Sequence, residues 1–222
     1  MTTVVTKFQN AASAGSQLAE RLKKYRRSTD TVVITIANGG AFVAAEVARE
    51  LKLPLELLFI SRLIATLGSQ RVLCATNVAG TMIVDEELAQ QPVPSSSPGM
   101  DHAIREGIRQ LSERERFCRG GRPPIDISTK QVIVVDNGIH TGSTMRAAIR
   151  ALRKLEVRKV VAAVPVADLN SRDVIEGEAD EVVCLAWPEK FGHVGLWYKE
   201  FVRPTNDQIL SLYLDCRRTM NE

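Results

Sequence analysis

The stretch Val132-Ile133-Val134-Val135-Asp136-Asn137-Gly138-Ile139-His140-Thr141-Gly142-Ser143-Thr144-Met145 decides the fold of this chain. Its first four residues are β-branched and apolar with no polar alternation, the pattern of a strand buried on both faces of a parallel sheet. The run ends in an acid, Asp136. Five residues later Thr-Gly-Ser-Thr opens a segment of helical spacing, about residues 143–155. Backbone N–H groups at a helix start are unpaired and carry partial positive charge, so they suit a phosphate. Thr141, Ser143 and Thr144 add hydroxyl donors, and Gly142 lets the backbone come close. An acid at the strand end is placed to accept from sugar hydroxyls or to hold a hydrated metal ion. Alone, such a turn reads as readily as an ordinary βα connection with a Thr or Ser N-cap. The buried strand ending in Asp136 favours the phosphate.

The pattern repeats on either side. Residues 160–166 form a second apolar run, completing a strand–loop–helix–strand unit. Upstream, residues 31–36 are another β-branched run. It stops at Ala37-Asn38-Gly39-Gly40 and passes into a helix-like segment, 41–51, and a strand, 55–60. An amphipathic helix over about residues 8–27 precedes it, and a strand at 181–186 and a helix at about 206–217 follow. The spacing predicts an α/β domain with a twisted, mostly parallel sheet and helices on both faces. Residues 71–84 suggest a hairpin with Ala79-Gly80 near its tip. Residues 90–99 have the composition of a mobile loop, and a helix is expected over 101–118. There is no internal repeat, so residues 1–222 are expected to form one domain, with about 66–125 as a variable middle segment.

With 222 residues, 45% hydrophobic and 25% charged, the composition is that of an ordinary globular protein. A net charge of +3 makes no case for nucleic acid. Cys74, Cys118, Cys184 and Cys216 lie far apart, without zinc-site spacing, and read as small buried or half-buried thiols. No apolar run reaches the roughly 18 residues of a spanning helix, and no signal peptide is evident. A cytoplasmic protein with no membrane partner is expected.

The loop after Asp136 resembles the diphosphate-sugar signature of type I phosphoribosyltransferases: an aliphatic strand, two acids, a short turn, then Thr-Gly and further hydroxyl residues. It is not a Walker loop, because no Gly-Lys-Ser/Thr occurs. Asn38-Gly39-Gly40, Arg114-Glu115-Arg116, Val164-Pro165-Val166 and the tail from Ala179 through Trp197-Tyr198-Lys199-Glu200-Phe201 are similar to a bacterial branch of that family. The similarity runs over nearly the whole chain. It implies a small hood or flexible-loop region beside the sheet, and a magnesium-dependent transfer of ribose 5-phosphate from phosphoribosyl diphosphate to a base or amine.

In the roles so implied, Gly138, Ile139, Thr141, Gly142, Ser143 and Thr144 hold the 5-phosphate. Asp136 orients the ribose and meets magnesium indirectly, and the turn Asn38-Gly39-Gly40 receives the pyrophosphate on its amides. The resemblance leaves room for a homo-oligomer. Three departures stand out. Asn137 occupies the place of the second acid, keeping an acceptor and adding a donor, which should lower metal affinity. Asn38 stands where Arg is usual, and Arg62, where Lys is usual, is the candidate compensating cation. His140 stands where an acid serves as base toward the incoming nucleobase, a task open to imidazole, although a plain exposed loop residue is the alternative. Phe191, Trp197, Tyr198 and Phe201 are candidates to stack on an acceptor, or else to pack the core. His102 and His193 are assigned no role. A regulatory binding module that senses the sugar diphosphate or a nucleotide without turnover is the second reading, motivated by Asn38, Asn137 and the middle segment, where an acid and a glycine usual near Arg71 and Ala75 are absent; another α/β phosphate-ester enzyme is the third.

Overall fold

A computed structural model describes residues 7–37, 39–67, 69–78, 81–85 and 98–218. For residues 62–67, 69–76, 78, 81–85, 98–101, 103 and 104 the description is of the backbone alone. The strands are β1 (Thr31–Ile36), β2 (Leu55–Leu67), β3 (Ser69–Val78), β4 (Thr81–Asp85), β5 (Gln131–Val135), β6 (Lys159–Val166) and β7 (Glu181–Ala186). The helices are α1 (Ala11–Arg21), α2 (Ala41–Leu51), α3 (Pro98–Arg119), α4 (Ser143–Lys154), α5 (Arg172–Glu176) and α6 (Asn206–Arg218). One sheet holds all seven strands in the order β4-β3-β2-β1-β5-β6-β7. The five from β2 to β7 are parallel, and β3 and β4 add an antiparallel edge.

Alternate side chains of the central strands feed two cores. Val32, Ile34 and Ile36 join Val132, Val134, Val160 and Ala162 against Met145, Ile149 and Leu152 of α4. Val33, Ile133, Val135 and Val161 join Leu18 and Leu22 near α1, and Val43, Val47 and Leu51 of α2, on the other face. Burial on both sides is why these strands show no polar alternation. Each such side chain contributes about 1.5–3 kcal/mol by leaving water.

The elements depart from expectation where caps and pairing override periodicity. The first helix begins only at Ala11, because Asn10 caps it: its side-chain oxygen accepts from Ser13 N at 3.0 Å. Phe8 instead forms a parallel bridge with Tyr198. The last helix starts at Asn206, as expected, behind a reciprocal box in which Gln208 N donates to Thr205 Oγ1 and Thr205 N to Gln208 Oε1. Strand β2 runs on to Leu67 instead of ending at residue 60, since Leu58–Leu67 pairs antiparallel with β3 after the parallel stretch with β1. The β3–β4 pairing confirms the expected hairpin, with Val78 opposite Thr81; residues 79 and 80 lie outside the described residues. Of the expected loop at 90–99, residues 90–97 lie outside them and Pro98 and Gly99 open α3.

Behind the sheet, α3 packs on β2 and α6 and closes over a buried charge cluster. Arg119 Nη1 reaches Glu56 Oε1 at 2.5 Å and donates to the Tyr213 hydroxyl at 3.1 Å, and Arg119 Nε donates to Glu115 Oε1 at 2.6 Å. Glu56 Oε2 accepts from Ile125 N at 2.7 Å. Removing one partner of such a network typically costs about 3–5 kcal/mol, because the other charge is left buried and uncompensated. Among the described residues no helix is long and apolar enough to cross a membrane.

Candidate active site

In an open parallel sheet the carboxyl ends of the strands form the crevice where ligands bind. Here β1 and β5 pair in register, Thr35 with Val135, so their following turns are neighbours. They touch. A Cβ built on Gly40 would lie 2.7 Å from both Asp136 Cα and Val135 O, and one on Gly39 would lie 2.8 Å from Asn137 Nδ2. Glycine at 40 is therefore required by the backbone of the second turn, whereas at 39 only the end of the Asn137 side chain stands in the way. The two amides are engaged locally: Gly39 N and Gly40 N both donate to Ile36 O, at 3.3 and 3.0 Å. The expectation for this turn rested on amides open to a ligand; as folded, they are not.

The turn after β5 is the reverse. Gly142 has φ 80°, a conformation that favours glycine, and no side chain caps the start of α4. Thr141 Oγ1 and Ser143 Oγ sit 3.1 Å apart beside this helix start, where backbone donors and hydroxyls gather. The rest of the loop is anchored. Ile139 is buried, its N–H donating to Val166 O at 3.0 Å and its carbonyl accepting from Asp168 N at 2.8 Å. Ile139 therefore fixes the loop to β6. Gly138 lies against the same strand end, where a Cβ would be 3.0 Å from Val166 O. Arg146 and Arg150 hold α4 at its far side through Glu178, at 2.8 and 2.7 Å.

Both turns open on a cleft of about 400 Å³. Gly39, Asp136, Asn137, His140 and Thr144 line one side of it. The opposite wall is His193, Val194, Gly195, Phe201 and Arg203, from the chain after β7. Burial pushes the Asp136 carboxyl up to about 7, only partly opposed by the hydrogen bond its Oδ1 accepts from Asn137 N at 2.8 Å. The Asn137 carbonyl accepts from the Tyr198 hydroxyl at 2.6 Å, which fastens the wall to the loop after β5. Burial raises the Tyr198 phenol well above its ordinary value, so it stays a neutral donor.

His140 is more than half exposed, lies 3.9 Å from Asp168 Oδ2 and stacks on Phe191 with ring centroids 5.5 Å apart. Phe191 stacks in turn on Trp197 and is buried, as is Tyr198. Of the four aromatic candidates, Phe201 alone lines the cleft; the other three build the wall behind it. Arg62 falls within the antiparallel half of β2, opposite Cys74, and not at a strand end. Its side chain and the whole of Asn38 lie outside the described residues.

His193 and Arg203 were not singled out from the sequence. They sit in an irregular segment without periodicity, and the one available signal was their closeness to the aromatic run Trp197-Tyr198. Burial pushes the Cys118 and Cys216 thiols up to about 11 and that of Cys184 to about 12, so none is primed as a nucleophile. Among the described residues no group of three or more His, Cys, Asp or Glu side chains could hold a metal.

Comparison with known proteins agrees with this architecture. A protein of Mycobacterium tuberculosis (strain H37Rv), provisionally named a phosphoribosyl transferase, is 32% identical over 208 residues. The match covers 94% of this chain but 46% of that protein, so the chain spans less than half the length of these relatives. The bifunctional protein PyrR of Bacillus mycoides (strain KBAB4) is 44% identical over 46 residues, 21% of this chain and 26% of that one. Among solved structures, TT1426 of Thermus thermophilus superposes with a TM-score of 0.78 at 26% identity, over 95% of this chain and 99% of that chain. The model of the phosphoribosyl transferase domain matches residues 3–200, the span that holds both turns and the sheet between them. A parallel sheet with an uncapped helix start facing a carboxylate, matched by that model over most of its length, places this chain in the phosphoribosyl transferase domain family.

Proposed function

We propose that the protein is a phosphoribosyltransferase, moving ribose 5-phosphate from phosphoribosyl diphosphate to a nitrogenous acceptor with release of diphosphate. The observation that carries this reading is the uncapped start of α4 opening beside Asp136 on a shared cleft. The amides and hydroxyls of Thr141, Gly142, Ser143 and Thr144 hold the 5-phosphate. Asp136 accepts from the ribose hydroxyls, and its carboxylate form faces the positive charge that grows on the ring as the C1–oxygen bond breaks. The acceptor enters between that ring and the wall of His193, Val194 and Phe201. Its nitrogen bonds to C1 and its proton passes to His140, held on Phe191 with Asp168 alongside. Diphosphate leaves past Gly39, with Arg203 as a cation on the cleft wall; among the described residues Arg203 forms no ion pair.

Magnesium fits this site as a companion of the substrate. Asp136 and the Asn137 carboxamide supply oxygen donors suited to a hydrated, phosphate-held ion, and no side-chain cage among the described residues competes with the diphosphate for it. When bound, the ion would neutralise charge on the leaving group; Asp136 would meet it through water. With a nucleotide precursor as substrate, the reading also assigns the protein to the cytoplasm.

One observation favours a second reading, a sensor that binds the sugar diphosphate without turnover: the Gly39 and Gly40 amides are both engaged with Ile36 O. A screen of free bases and amines for magnesium-dependent diphosphate release, run alongside calorimetry with ribose 5-phosphate, separates the two. Turnover with any acceptor establishes the enzyme. Tight binding with no release from the whole panel establishes the sensor.

A further inference from the structure

A diphosphate arriving beside Gly39 meets a turn whose two amides already donate to Ile36 O, next to an uncharged Asn38. The side chain that reaches this spot is Asn137. Measured from the point a Gly39 Cβ would occupy, Asn137 Nδ2 lies at 2.8 Å and Oδ1 at 3.4 Å, so the N–H₂ end of the carboxamide is turned to the glycine turn. Its backbone is held at both ends of the residue, Asn137 N on Asp136 Oδ1 at 2.8 Å and Asn137 O under the Tyr198 hydroxyl at 2.6 Å. The amide is thus presented from a fixed main chain into the cleft that Gly39 and Asp136 share.

We propose that Asn137 is a diphosphate donor: its Nδ2–H₂ group hydrogen-bonds the pyrophosphate moiety of the sugar diphosphate, while Asp136 alone serves the ribose. The assignment rests on the phosphoribosyl diphosphate reading above. A carboxylate at this position would confront the diphosphate with like charge a few ångströms away and need a cation between them. A carboxamide removes that repulsion and contributes a charge-assisted hydrogen bond. Asn137 is in this sense a specificity-determining residue, selecting a diphosphate at C1 over a bare hydroxyl.

Calorimetry with two probes, ribose 5-phosphate and phosphoribosyl diphosphate, tests this on the intact protein and on Asn137→Asp and Asn137→Ala, in EDTA and again with excess magnesium. The expected result is that both variants lose about tenfold in affinity for phosphoribosyl diphosphate. Ribose 5-phosphate should bind all three proteins within about twofold, which also shows that the variants are folded. The Asp variant should lose more in EDTA than in magnesium, because the ion then shields its carboxylate. If Asn137→Asp binds phosphoribosyl diphosphate as tightly as the parent in EDTA, or if both probes weaken equally, the donor assignment is overturned and Asn137 serves the ribose. Variants that match the parent on both probes overturn the assignment alone. A parent protein that does not bind phosphoribosyl diphosphate, whether or not it binds ribose 5-phosphate, overturns the underlying reading with it.

Discussion

The turn after β1 and the turn after β5 leave adjacent parallel strands, both carry glycines, and both lead into a helix. The first is closed: its Gly39 and Gly40 amides fold back onto Ile36 O, and its glycines exist because Asp136 and Asn137 press against them. The second is built differently: Gly142 in a left-handed conformation ends the loop, no side chain caps the start of α4, and Ile139 and Gly138 tie the rest to β6. Glycine thus does two different jobs in neighbouring turns, admitting an adjacent chain in one and taking a left-handed conformation at the head of a helix in the other. A glycine-rich turn at a strand end says nothing about anion binding until the partners of its N–H groups are known.

The sharpest way to break this contrast is Gly40→Ala. Its Cβ would meet backbone atoms, which cannot step aside, so a loss of about 2–3 kcal/mol is expected in urea denaturation. A loss under about 0.5 kcal/mol would mean that the two turns are not packed as described.

Asp136 gives the next effect, through pH. The folded chain keeps that proton up to about pH 7, whereas an unfolded aspartate loses it near 4. Between those values the folded state binds more protons, so this group makes the protein less stable as pH rises, with the full cost above about 7 and none below about 4. Asp136→Asn removes the cost. The variant should gain on the parent progressively from pH 4 to 7, reaching about 4 kcal/mol, and then run level. A pH-independent difference would show that the carboxyl is not held neutral by burial.

In the turn after β5 the readout is affinity. Gly142→Val forces a branched side chain to φ 80° and 3.0 Å from Ile175 Cδ1, and should weaken ribose 5-phosphate by about tenfold or more. Thr144→Ala, which removes one hydroxyl donor, should cost about two- to threefold. Equal affinities by calorimetry would move the phosphate elsewhere.

Gly39→Ala is the mildest change, because its Cβ meets only the Asn137 side chain. A loss of under about 1 kcal/mol is expected, and it should vanish in an Asn137→Ala background, the signature of a pairwise contact in a double-mutant cycle.

Much of the sheet could be read from the chain because its central strands are buried on both faces. β-branched runs such as residues 31–36 and 132–135 admit little else, and the start of α4 announced itself by Thr-Gly-Ser-Thr. The far half of β2 was missed: Ser61–Leu67 becomes strand through a hairpin with β3, a pairing that periodicity alone does not reveal. The cluster of Glu56, Glu115 and Arg119 was hidden for a related reason, since Glu56 lies inside an apolar run and its partner is 63 residues away. At the site, the Asp136 loop was legible as a local motif. His193 and Arg203 were not, because an irregular wall has no spacing to read, and hydrogen bonding alone shows that the Gly39 and Gly40 amides are engaged.

The wall of the cleft is also the end of a splice. Phe8 N donates to Trp197 O at 2.8 Å, Lys199 N to Phe8 O at 2.9 Å and Glu200 N to Gln9 O at 3.0 Å, while Tyr198 bolts the same segment to the Asn137 carbonyl. Segments from opposite ends of the chain are thereby inherited together. A chimera that swaps residues 187–205 with those of a relative to reshape the cleft must carry residues 7–10 across as well and keep a hydroxyl at 198. Grafted at one end only, the transplanted wall would lose its backbone partners Phe8 and Gln9 and its hold on the loop after β5 in the same stroke.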